Sequence, residues 1–226
     1  MSSLNTTQRN LPLVVLVSGA GTNLQAILEA CAQGSLPATV EAVISDRGTA
    51  PALQRAAAAG ITTHVLQPQD YPDRASYDRV LALLIDSHAP GLVVLAGFMR
   101  ILNDAFVQHY RGRMVNIHPA LLPKYRGLRT HRRVLAAGER EPGSSVQFVT
   151  RELDGGPVIA QSKVPVRMDD TERSLTARVQ ACEHRLYPQV IRWIAEGRVR
   201  LADESVVFDG ARRRSPVIMD WDETTS

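Results

Sequence analysis

The chain has little that would tie it to an oxidising compartment, a membrane or a nucleic acid. Its 226 residues include only two cysteines, Cys31 and Cys182, far apart and without metal-ligand spacing. Neither a disulfide framework nor a metal site is therefore expected, and buried thiols on helices are the plainer role. The longest apolar runs, residues 13–17 and 92–96, are too short to span a bilayer. Residues 1–10 are polar and lack an apolar core, so no secretory signal is expected and the expected location is cytoplasmic. Basic residues exceed acidic ones only by 26 to 23, an excess too small to argue for nucleic acid. Arginines do gather at Arg126, Arg129, Arg132 and Arg133, and again over residues 212–214. Solvated faces are the default reading of both groups.

What is present is ordinary for a globular protein: 44% apolar and 22% charged residues, in a length that suits one or two domains. Residues 13–17 form a continuous apolar run, the mark of a strand buried on both faces of a parallel sheet. A glycine-rich turn and a helix over residues 23–32 follow, with Leu24, Ile27 and Leu28 on one face. Strands over residues 40–45, 63–66 and 92–96 then alternate with helices over 52–59 and 73–87, and Asn103 is placed to cap a helix through His109. Such alternation predicts an α/β fold with a Rossmann-like, mostly parallel sheet flanked by helices. Residues 144–150 and 158–166 are β-rich and predict an antiparallel segment toward the C-terminal part, before a long helix over 173–196. A single domain over residues 1–226 is expected, with 1–11 and about 211–226 as flexible ends.

The stretch from Met114 to Gly127 organises the chain. Its front reads as a strand ended by Pro119, which cannot donate to a sheet ladder. At a period of two, Asn116 and His118 share a face at the carboxyl end of that strand, where open α/β sheets bind ligands. An amide and an imidazole there can stabilise an oxyanion and manage protons. The turn from Ser18 to Asn23 joins the first strand to the first helix, where backbone N–H groups hold phosphate. A dinucleotide fingerprint would need a glycine at Leu24, so one phosphate monoester suits the turn better. Asp154 precedes Gly155-Gly156, a common hairpin signal, and spacing alone leaves it a turn residue.

These residues together carry a resemblance. The turn from Ser18 to Gln25, residues 94–102, the Asn116-Ile117-His118-Pro119 run through Tyr125, and Glu152-Leu153-Asp154-Gly155-Gly156-Pro157-Val158 match in kind. So do residues 177–180 with Glu183 and His184. The chain closely resembles the glycinamide ribonucleotide formyltransferases, folate-dependent enzymes of purine synthesis. The resemblance implies a formyltransferase fold and a catalytic trio of Asn116, His118 and Asp154, the last overturning the turn reading. It implies that Gly21, Thr22, Asn23, Leu24, Gln25, Gln180 and Glu183 hold the ribonucleotide. It further implies that Arg74, Met99, Arg100, Ile101, Leu102, Asn116, Thr150, Arg151, Glu152, Leu153 and Asp154 wall a folate pocket. The formyl donor implied is 10-formyltetrahydrofolate, with 5'-phosphoribosylglycinamide as acceptor, no metal, and a monomer or homodimer. The family pattern commonly has histidine where Arg129 and Gln147 stand and serine where Ala120 does. A related enzyme acting on methionyl-tRNA would imply a further C-terminal barrel, and a folate hydrolase a further N-terminal domain. A nucleotide-binding module without catalysis is disfavoured by Leu24.

Overall fold

A computed structural model describes residues 10–220 of the chain. The alternation read from the sequence is present: β1 (Leu11–Val17), α1 (Thr22–Ala32), β2 (Ala38–Ser45), α2 (Pro51–Ala58), β3 (Thr62–Val65), α3 (Arg74–Asp86), β4 (Leu92–Leu95), α4 (Asp104–His109) and β5 (Met114–His118). There follow α5 (Thr130–Ala136), β6 (Gly143–Phe148), β7 (Val158–Lys163) and α6 (Glu172–Ala195). The chain then forms β8 (Val199–Ala202), β9 (Ser205–Phe208), β10 (Ala211–Arg212) and β11 (Val217–Met219).

The main sheet has eight strands in the order β11-β7-β6-β5-β4-β1-β2-β3. β6 runs antiparallel to both neighbours, and the other pairings in this sheet are parallel. β1 shows why a parallel sheet needs cover on both sides. Leu13, Val15 and Val17 pack with Leu24, Ile27, Leu186 and Val190 from α1 and α6. Val14 and Leu16 pack with Tyr77, Leu81 and Ile85 of α3 and Phe106 of α4. The period of two along β1 thus feeds two cores, one per face. Helix starts follow their caps. Asp73 accepts the Ser76 N–H at 2.7 Å, and Asn103 accepts that of Phe106 at 2.8 Å, as its position predicted. At α6, Thr171 and Ser174 form a reciprocal capping box.

Two boundaries differ from the sequence reading. Leu11 belongs to β1, and the chain past Gly210 is not a loose tail as far as Asp220. β10 completes a small antiparallel sheet with β9 and β8, and β11 adds to β7 at the edge of the main sheet. Val217 and Met219 pack on the core, an anchoring that a three-residue strand beside arginines does not advertise. Residues 1–9 and 221–226 lie outside the described residues. The strand order reverses between β1 and β4, and in such sheets the crevice at that point holds ligands.

Candidate active site

That crevice is closed from behind by the first turn. Ser18 N–H donates to the Gly97 carbonyl at 3.1 Å, and Ser18 Oγ accepts the Met99 N–H at 2.9 Å, so the turn after β1 and the loop after β4 are joined. Gly21 stands at φ 73°, and a Cβ there would lie 2.6 Å from the Ala52 Cβ, so glycine is needed both for conformation and for room. The first N–H groups of α1, from Thr22 onward, are left facing outward at the helix start. Leu24 is fully buried in the core. Gln25 turns away, donating to Glu29 at 3.0 Å and accepting from Arg55 at 3.3 Å.

Asn23 reaches across instead. Its Nδ2 donates to Glu183 Oε2 at 3.0 Å, while its own Oδ1 is buried and accepts no hydrogen bond within the described chain. Burial pushes the Glu183 carboxyl up to about 7, against the opposing effect of the Asn23 hydrogen bond. Gln180 lies one turn earlier on α6, in a shallow depression with Glu172, Arg173, Thr176 and Ala177.

Asn116 and His118 line a cleft of about 490 Å³ beside this turn. Asp154 comes to them from the loop between β6 and β7. Its backbone is in the left-handed region at φ 48°, and Gly156 permits the close return, since a Cβ there would sit 1.9 Å from the Phe148 carbonyl oxygen. Asp154 Oδ2 accepts the Gly127 N–H at 2.9 Å and lies 3.4 Å from His118 Nδ1. Its Oδ1 accepts from Gln147 Nε2 at 3.3 Å. His118 Nε2 is 2.9 Å from the Tyr125 carbonyl, an oxygen that only accepts, so this nitrogen carries a hydrogen. Nδ1 is the nitrogen that faces the carboxylate. The imidazole and carboxylate are 7% and 8% exposed.

Sequence reasoning missed what holds the loop behind His118. Ser145, opposite His118 on β6, donates to the Ala120 carbonyl at 2.6 Å and accepts the Leu122 N–H at 3.0 Å. Gln161 donates to the Leu122 carbonyl at 2.8 Å and to Ser145 Oγ at 2.9 Å. Serine and glutamine at inward strand positions were the available signal, because buried polar groups require partners.

Of the expected pocket walls, Met99, Arg100, Ile101 and Leu102 line the cleft on one side, and Thr150, Arg151, Glu152 and Leu153 on another. Met99, Ile101, Leu128 and Leu153 are each more than half exposed, an apolar lining open to a ligand. The Arg100 guanidinium lies 4.6 Å over the Tyr77 ring. Arg74 stands at the start of α3, outside the residues that line the cleft, with its Nε 4.0 Å from Asp78. Among the described residues no three His, Cys, Asp or Glu side chains converge to hold a metal ion, and no helix is long and apolar enough to cross a membrane.

The family described as formyl transferase matches residues 11–191, a span that takes in the turn, the cleft and most of α6. The chain belongs to this family. It is 55% identical over 200 residues to the phosphoribosylglycinamide formyltransferase of Escherichia coli K12, covering 88% of this chain and 94% of that one. The enzyme of the same name from Haemophilus influenzae is 42% identical over 198 residues, covering 88% and 93%. The solved structure of phosphoribosylglycinamide formyltransferase from Coxiella burnetii superposes with a TM-score of 0.89 at 49% identity, over 92% of this chain and 99% of that one. The formyltransferase fold expected from the sequence is thus the fold found.

Proposed function

We propose that this formyl transferase moves the formyl group of 10-formyltetrahydrofolate onto the amine of 5'-phosphoribosylglycinamide, in the cytoplasm and in one domain. The observation that carries the reading is the meeting of Asn116, His118 and Asp154 at the base of an apolar cleft beside an open helix start. The relatives' shared name supports the acceptor. The exposed apolar side chains Met99, Ile101, Leu128 and Leu153 suit a flat heterocycle such as the folate ring. The α1 start suits the phosphate, and Glu183 the ribose hydroxyls.

In this scheme the amine nitrogen attacks the formyl carbon directly, since no serine or cysteine lines the cleft among the described residues. The carbonyl pair moves onto oxygen, where the Asn116 amide N–H and the His118 Nδ1–H stabilise it, each donor worth about 3 kcal/mol. The 3.4 Å separation from Asp154 is longer than a formed charge-assisted hydrogen bond, so Nδ1–H is not fully held by that carboxylate. The tetrahedral species collapses as the carbon–N10 bond breaks. N10 keeps the electron pair and gains a proton, and the attacking nitrogen loses one, so His118 and Asp154 need only relay it.

The reading is tested by following folate deformylation with and without the ribonucleotide. Consumption that requires the ribonucleotide supports it. Consumption with water as the sole acceptor would make the protein a folate deformylase instead.

A further inference from the structure

The scheme above leaves one buried amide in the cleft without work. Gln147 lies on β6 opposite Asn116, is 2% exposed and contributes to the cleft wall. The pairing of β6 with β7 slips between Val146 and Gln147, an irregularity of the kind that re-aims a side chain next to a site. Its Nε2 donates to Asp154 Oδ1 at 3.3 Å, whereas its Oε1 is buried and accepts from nothing in the described chain. Chemistry fixes which end is which. Turned over, the amide would set Oε1 against a carboxylate oxygen, acceptor against acceptor.

A buried acceptor left unpaired costs about 1–3 kcal/mol. The neighbouring groups do not relieve it. Asp154 as a carboxylate has no hydrogen to give, and the His118 Nε2–H is committed to the Tyr125 carbonyl.

We propose that Gln147 orients the acceptor substrate: its Nε2 aims the Asp154 carboxylate, and its Oε1 accepts one N–H of the attacking primary amine. The inference rests on the reading of Asn116, His118 and Asp154 as the transfer site. A neutral primary amine has one lone pair and two N–H bonds. Holding one N–H at Oε1 turns the lone pair toward the formyl carbon. As the nitrogen–carbon bond forms, the nitrogen becomes positive and its hydrogens become stronger donors, so the contact tightens in the transition state and contributes to kcat. An amide takes no proton, so the hydrogen lost by the nitrogen passes to the His118–Asp154 pair and the one gained by N10 comes from it. An amide does not titrate, so Gln147 keeps the acceptor oxygen at every pH.

The experiment compares Gln147→Leu, Gln147→Glu and Asp154→Asn with wild type in steady-state formyl transfer from 10-formyltetrahydrofolate to glycinamide ribonucleotide across pH, alongside thermal melting. For Gln147→Leu the expected result is a kcat about tenfold lower or more, with KM for the folate within roughly twofold, because the loss is of orientation. Gln147→Glu keeps an acceptor oxygen but sets a second carboxylate beside Asp154, so the acidic limb of its pH–kcat profile moves to higher pH. Wild-type kcat in Gln147→Leu, or a loss that only follows its folded fraction, overturns the proposal. So does an unmoved acidic limb in Gln147→Glu. Full activity in Asp154→Asn would instead bring down the reading of the site on which the proposal stands.

Discussion

Asn23 and Glu183, 160 residues apart in the chain, meet through a hydrogen bond of 3.0 Å. The contact ties the start of α1 to the middle of α6. The Glu183 carboxyl is 5% exposed, and that burial pushes its pKa up to about 7.

That carboxyl makes stability depend on pH. Its folded pKa of about 7 lies above the ordinary 4.5, so the folded state holds the proton more tightly than the unfolded one. The stabilisation is complete below pH 4.5 and is lost as pH rises through about 7. It amounts to at most about 3 kcal/mol. Glu183→Gln should flatten this part of the curve, as measured by denaturant unfolding of the unliganded protein between pH 4.5 and 8. A slope identical to wild type would refute the assignment.

The same pair should govern ribonucleotide affinity. Asn23→Ala removes a donor that holds the Glu183 carboxylate in place. KM for glycinamide ribonucleotide should rise roughly tenfold while KM for the folate stays near wild type, the size expected for one hydrogen bond to a charged group. An unchanged KM for the ribonucleotide in steady-state assays would count against both residues.

Gly156→Ala places a methyl group 1.9 Å from the Phe148 carbonyl oxygen, and the loop carrying Asp154 must shift. Overpacking of this kind costs about 1–3 kcal/mol, which lowers Tm by a few degrees in a chain of this size. Activity should fall further than stability does, because Asp154 moves with the loop. Calorimetry and turnover measured on the same preparation check the difference.

Much of this fold is written in local patterns. The unbroken apolar run of β1, the apolar face of α3 and the Asn103 cap of α4 all led to the right element, because each reports burial or an unpaired helix end directly. Two short elements did not announce themselves. α5 has seven residues, too few for a helical period to stand out, and β11 has three. In the site, Asn116 and His118 were legible together because one strand presents both. Asp154 was not, since its place against His118 depends on how β6 and β7 fold back, and only the family resemblance brought it in.

The most direct test of the central claim is single-turnover formyl transfer to glycinamide ribonucleotide by wild type, His118→Ala and Asp154→Ala, with folding checked by circular dichroism. Wild type should yield formylated ribonucleotide in step with deformylated folate. Each variant should be folded and slower by about a hundredfold or more. Wild-type rates in either folded variant would contradict the account.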